Sequence, residues 1–578
     1  MNFRYGLRGL LFLSLLSLSV VVQAKALLVV KVEPGNAALK ANIEAYIGEL
    51  GERDENALRN FRRSAEEQAA KAAQALGYYH AEIDSRVDLG RERQPRLTLQ
   101  VRPGEPVHLR QVSVRIEGEA ASLAVFKVPQ SSLLRSGAQL NHGAYEDAKK
   151  LIENQALRYG FFAGRFQRQT LQIDPQAGLA DIELVYASGP RYRFGAVTFQ
   201  GDTPFDDELL ERFVPFRSGA PYDADLVAKL NENLQRSGYF DLVRVDAQPL
   251  PEQAEVIPVS VELAAVKPRS FGLGLGYSTD VGPRARGNWT RPWVNAHGHS
   301  LGVETEVSTV RQNVGAWYQI PLDPPLTDSL RFSSAYQQEH LVDVESERLS
   351  LGALWQSQLA NDWQRVVSLR WEQEVYDYGD DSPDGRSSFL MPGLSYNLLR
   401  SDSTLDPSRG YRLQGEVSAA KQGLLSDADM ARFNAQAKGL YTLPGGHRFL
   451  GRVQVGGIAT NDYDAIPPSL RFFAGGDQSV RGYDYQSLSP EDDQGNKVGG
   501  RYLMVASAEY QYPVAERWRV AAFVDRGNAL DSPNDASKTG VGLGLRWVSP
   551  VGPIRLDLAH ALDDDGGVRL HFSMGPEL

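Results

Sequence analysis

The densest chemistry in this 578-residue sequence lies in Arg471-Phe472-Phe473-Ala474-Gly475-Gly476-Asp477-Gln478-Ser479-Val480-Arg481-Gly482-Tyr483, where guanidinium groups sit among glycines and aromatics. The stretch falls in a gap of 40 residues between strand-like segments, Thr460 to Gly499, and gaps that long are functional or disordered. Its glycine and aromatic content suits a compact loop packed inside something. A guanidinium buried in such a loop requires carboxylate partners. Signatures of catalysis are missing: there is no Gly-x-Ser-x-Gly and no His-Glu-x-x-His, and the nine histidines form no ligand pattern. His297 and His299 read as part of a solvated hairpin turn. The strings Gly272 to Gly276 and Gly540 to Gly544 lack the following helix that would receive a phosphate. Asp563-Asp564-Asp565-Gly566-Gly567 reads as an acidic hairpin turn in preference to a calcium loop. No enzyme activity, cofactor or metal is expected.

Strands must position that loop. From about Lys267 onward, segments of about ten residues alternate apolar with small or polar side chains. Examples are Phe271, Leu273, Leu275, Tyr277; Val367, Leu369, Trp371; Trp518, Val520, Ala522, Val524; Val541, Leu543, Leu545, Trp547; and Val568, Leu570, Phe572, Met574. Counting every such segment gives about sixteen, the even number a single-chain barrel requires, and Trp and Tyr often close them as girdle residues do. A soluble sandwich would bury one face equally well but leaves the girdle unexplained.

Ahead of the strands a different pattern recurs: a helical stretch, a glycine, two aromatics and a strand-like run. The copies are Gly77-Tyr78-Tyr79, Gly160-Phe161-Phe162 and Gly238-Tyr239-Phe240, spaced 83 and 78 residues apart. Each reads as strand, helices, strand, strand, a small sheet with helices on one face. The glycine suits a left-handed helix cap and the aromatics suit the core. A free sheet edge could accept an extended peptide as an added strand.

Arg4 and Arg8, an apolar run of 13 residues from Leu10 to Val22, and Val22-Gln23-Ala24 read as a cleaved signal peptide, the run being short of the roughly 20 residues of a spanning helix. No later segment is long and apolar enough for such a helix, so a membrane protein would have to be a closed barrel. Sixty-one basic against 72 acidic side chains, a net charge of −11, argue against a nucleic-acid partner. The absence of cysteine excludes disulfides and thiolate metal sites.

With the preceding Gly475-Gly476 and Ser479, the motif Val480-Arg481-Gly482-Tyr483 resembles the lumen-loop consensus of the outer-membrane assembly superfamily, which includes BamA, TamA and the two-partner secretion transporters. Phe523-Val524-Asp525-Arg526-Gly527-Asn528 and Gly542 to Trp547 resemble the same family. Three repeats and the ending Phe572-Ser573-Met574-Gly575-Pro576-Glu577-Leu578 are most similar to the TamA group. The resemblance implies α+β repeats (three POTRA-like domains) followed by a 16-stranded antiparallel transmembrane β-barrel: signal peptide 1–24, POTRA-like domains 25–104, 105–188 and 189–266, and barrel 267–578. It also implies that Arg481 pairs with Asp525. The pleat places Asp525 and Glu509 inward if their apolar neighbours face lipid, and we expect Glu509 to join Asp525 in pinning the loop.

The family's activity implies an outer-membrane protein, repeats in the periplasm, that inserts or exports β-rich clients such as autotransporters; a two-partner-secretion-type transporter or a passive channel is the alternative. The natural opening is a lateral seam between Leu273, Leu275 and Tyr277 of the first strand and Leu570, Phe572 and Met574 of the last. Gly272, Gly274 and Gly276 either weaken the first strand or fit a crowded interior, while Gly575 and Pro576 would loosen the end of the last. The expected partners are a TamB-like inner-membrane-anchored protein docking on the repeats, unfolded clients and outer-membrane lipid.

Overall fold

The computed structural model describes residues 25–89, 94–250, 255–340, 342–378, 385–550, 552–564 and 567–575. The expected signal peptide, Pro576 and the Asp565-Gly566 pair lie outside the described residues. The chain forms two compact units, one holding the first two repeats with short parts of the third, the other the rest of the third repeat and the barrel.

Each repeat carries a three-stranded sheet with its last strand in the middle. In the first, Pro95–Arg102 runs parallel to Leu27–Val32 and antiparallel to Glu82–Leu89. Over this sheet lies the helix Glu55–Ala75, started by the Asp54 side chain accepting from Ala57 N at 2.7 Å. Its alanines Ala65, Ala69, Ala72 and Ala73 are buried, and their small side chains let the helix approach the sheet closely. The second repeat departs from the expected helix pair. One long helix, His142–Arg158, is preceded by a single tight turn at Glu119–Ser122. In the third, Leu230 and Leu234 of the helix Ala224–Arg236 are buried, as the four-residue spacing of apolar positions requires.

The three motif glycines take φ of 85°, 85° and 72°, the left-handed cap conformation. One aromatic of each pair is core: Tyr78, Phe161 and Phe240. The other serves a different purpose from the one expected. Tyr79 reaches into the second repeat, its hydroxyl 2.8 Å from His142 Nε2. Phe162 packs edge-on against Tyr192 and Tyr222 of the third repeat, at 5.5 and 5.2 Å between centroids. Tyr239 donates to Gly298 O in the barrel at 2.7 Å. The motif therefore builds the joint to whatever follows, once per repeat.

Sixteen antiparallel strands, from Ser270–Ser278 to Val568–Met574, pair in chain order with each neighbour. Their outward row is apolar and exposed, including Val314, Leu351, Leu369, Val453, Met504, Val524, Leu543 and Leu558. At about 25 cal/mol per Å² such a row is costly in water and at home in lipid. Inside, residues 461–501 fold back against the strands. Ile466, Leu470, Phe472, Val480 and Tyr483 of this loop form one core with Phe389, Met391, Met430, Ile458, Leu503 and Val505.

Candidate functional site

Alternation along four strands aims one row of side chains at the loop. On Trp518–Leu530, Val520, Ala522 and Val524 are exposed while Ala521, Phe523 and Asp525 are buried. Glu509 points inward from Tyr502–Ala515, Arg546 from Lys538–Ser549 and Asp557 from Gly552–Ala561. The ladder sets Ser507 opposite Asp525 and Gly544 opposite Asp557, so the rows meet at one height.

Arg481 lies at their centre. Its Nε and Nη2 donate to the two oxygens of Asp525 at 2.7 and 2.9 Å, a bidentate fork, and its backbone N–H donates to the same carboxylate at 3.1 Å. Nη1 donates to Glu509 at 2.8 Å and to Asp557 at 3.2 Å, and the guanidinium lies 3.4 Å from the centroid of Phe523. Arg546 bridges the same two acids, donating to both Glu509 oxygens at 2.9 and 2.8 Å and to Asp557 at 2.6 Å. Arg452 donates to the carbonyls of Gln478 and Ser479, holding the loop from a further strand. All five ionic side chains of the cluster are at most 10% exposed, so removing one partner strands a charge where water cannot compensate.

The structure thus brings Arg481, Asp525 and Glu509 together and adds Arg546 and Asp557. The same alternation would have found both: Asp557 stands between Leu556 and Leu558, and Arg546 between Leu545 and Trp547. Val480 is fully buried and Tyr483 nearly so, its hydroxyl donating to Thr539 O at 3.4 Å. Gly482 has a φ of 99°, and its N–H donates to His571 Nε2 on the last strand at 2.9 Å. Gly540 clears space for the loop: a Cβ there would stand 1.8 Å from Arg481 O.

The loop reaches the junction between first and last strands. No strand ladder joins these two among the described residues. They touch where Thr279 N donates to Phe572 O at 3.1 Å, where Phe572 N donates to Thr279 Oγ1 at 2.9 Å, and where the rings of Tyr277 and Phe572 meet at 5.7 Å. Leu273 is 95% and Leu275 86% exposed; Leu570 is also exposed and Met574 half-buried. A Cβ on Gly272 or Gly276 would collide with the side chains of Asn288 or Arg284, whereas Gly274 has room, so crowding accounts for two of the three glycines. Gly575 closes the last rung, its N–H donating to Pro553 O at 3.0 Å.

In the histidine turn His297 is exposed, as expected, and His299 is half-buried. His299 Nδ1 lies 2.6 Å from Tyr318 Oη, and His297 Nδ1 2.5 Å from Asp206 of the third repeat.

Comparison with known proteins matches residues 267–577 to the Omp85 superfamily domain, 29–103 to the POTRA domain described as TamA domain 1, and 192–264 to a POTRA domain described as a surface antigen variable number repeat. The outer membrane protein assembly factor BamA of Nitratidesulfovibrio vulgaris is 24% identical over 452 residues, which cover 74% of this chain and 56% of the relative. The BamA of Neisseria meningitidis serogroup B is 22% identical over 557 residues, 84% of this chain and 69% of the relative. This chain therefore spans little more than half of the first of these relatives. Among solved structures, BamA from Haemophilus ducreyi lacking POTRA domains 1–3 superposes with a TM-score of 0.68 at 15% identity, over 81% of this chain and 99% of that one, a likeness of fold.

Proposed function

We propose, from the premise that this chain belongs to the Omp85 superfamily and resides in the outer membrane with its repeats in the periplasm, that it inserts or exports β-rich clients, autotransporters among them, through the seam between its first and last strands. The observation that carries this reading is the seam itself. Fifteen strand junctions are laddered, while among the described residues the sixteenth rests on one backbone hydrogen bond, two bonds through the Thr279 hydroxyl and one ring contact. Opening it exposes unpaired backbone on a strand whose apolar residues already face lipid, and a client strand can add there. The Arg481 cluster pins the loop so that the remaining wall keeps its shape while the seam moves.

On this reading all three repeats are POTRA domains, the barrel crosses the membrane, and a TamB-like inner-membrane-anchored partner docks on the repeats. The match of the first repeat to a TamA description supports the TamA group over the secretion transporters, as does the number of small sheets.

The test uses the natural lack of cysteine. Single cysteines or photo-crosslinkers along Leu273 to Tyr277 and Val568 to Met574, in living cells, are expected to capture strands of other barrel proteins. Steady ion conductance with no such adducts sinks the insertase reading and favours a channel or dedicated transporter.

A further inference from the structure

Three groups outside the Arg481 cluster converge where the seam is narrowest. Asp280 lies in the turn after the first strand, Asp477 in the lumen loop and His571 on the last strand, and one donor atom from each falls within 4.8 Å of the others. The Asp477 backbone N–H donates to both oxygens of Asp280, at 3.1 and 2.8 Å. Asp477 Oδ1 accepts from Thr279 Oγ1 at 2.9 Å and faces His571 Nδ1 at 2.7 Å.

The ring of His571 is already committed. Because its Nε2 accepts from Gly482 N–H, the proton of the neutral ring sits on Nδ1 and points at Asp477. The imidazole therefore orients the carboxylate and has no lone pair left for a metal. What remains open is Asp477 Oδ2. It has no hydrogen-bond partner among the described residues, although its side chain is 4% exposed. Beside it stands the carboxylate of Asp280, and no lysine or arginine pairs with either acid among the described residues. Two adjacent anions in a part-buried site call for a positive charge between them.

We propose that Asp280 and Asp477 hold a hard divalent cation of the calcium or magnesium kind, with His571 orienting Asp477, and that the ion latches the seam. The chemistry favours this class because the open ligands are carboxylate oxygens, with water completing the shell. The position favours a latch because the two carboxylates join the first hairpin to the loop, and His571 joins the loop to the last strand. The latch rests on the seam reading; the site itself does not.

The experiment uses the full chain in detergent, stripped with chelator and held at a pH of about 8 so that protons compete little. Calcium or magnesium alone is titrated calorimetrically, and seam width is followed by the distance between spin labels on cysteines replacing Tyr277 and Phe572. The expected result is one ion per chain with a dissociation constant of about 0.1 to 1 mM, the range of weak extracellular sites, and a narrower distance distribution with the ion bound. Asp280→Asn is expected to weaken binding roughly tenfold or more and to abolish the narrowing, and His571→Gln to weaken it less. Retained heat-modifiable mobility in gels shows that each variant has folded. Binding without narrowing overturns the latch and leaves the site. No binding, with Asp280→Asn as stable in chelator as the unaltered chain bathed in cation, overturns the site in favour of a shared proton only. Client crosslinks at the seam that persist in Asp280→Asn show that the functional reading survives the loss of the latch.

Discussion

At the scale of single residues, Arg481 satisfies more groups than any other side chain around it. Arg481→Ala leaves Asp525, Glu509 and Asp557 facing Arg546 and Arg452, and breaking a buried pair this way costs about 3 to 5 kcal/mol. A lower thermal denaturation midpoint in detergent is the expected readout. Arg481→Lys is expected to recover little of it, since an ammonium cannot grip Asp525 through two parallel bonds while also reaching Glu509. Gly540→Ala tests the same loop without touching a charge. Its Cβ would collide with a carbonyl that cannot swing aside, so the loop should lift and limited proteolysis should cut near Gln478 and Ser479 in the variant only. Equal protease resistance would show that the loop is not held at this point.

At the scale of elements, two kinds of joint matter. The seam joins strands weakly, and a thiol crosslink between cysteines at positions 277 and 572 is expected to stop client insertion reversibly, with activity returning on reduction; unchanged activity under full crosslinking would remove the seam from the mechanism. The joints between repeats are built from the second aromatic of each motif. Burial holds the His142 imidazole below its ordinary pKa of 6.5, against a smaller opposing effect of Glu146. The sign follows: the unfolded chain binds more protons just below pH 6.5, so stability at the Tyr79 joint is present above that value and lost as pH falls through and beneath it. Hydrogen-exchange protection near Tyr79 and His142, measured relative to the intrinsic rate at each pH, should fall on acidification, and His142→Asn should flatten the dependence.

At the scale of the whole molecule, the barrel has its own laddered sheet and internal core, and the first repeat has a separate core of its own. Removing residues 25–104 is therefore expected to leave barrel folding intact, seen as unchanged heat-modifiable mobility. Loss of barrel folding in that truncation would contradict the independence of the two cores.

Periodicity alone determined much of this. A period of two puts every second side chain on one face, so the sixteen strands, the apolar outer row and the inward aim of Asp525 and Glu509 follow from local order. The repeated glycine-aromatic motif likewise marks three helix ends, because only a left-handed residue closes them there. Distance between strands in sequence hid the rest. Asp557 and Arg546 obey the same alternation, yet nothing local says that their rows meet Arg481; the register of four ladders and the fold of the loop decide it. His571, Asp477 and Asp280 are separated by 94 and 197 residues along the chain and meet only because the barrel brings its first and last strands together around a loop from between them. The second aromatics were misread for a related reason: apolar character predicts burial, but only the placement of the next domain tells whether the covering surface belongs to the same repeat.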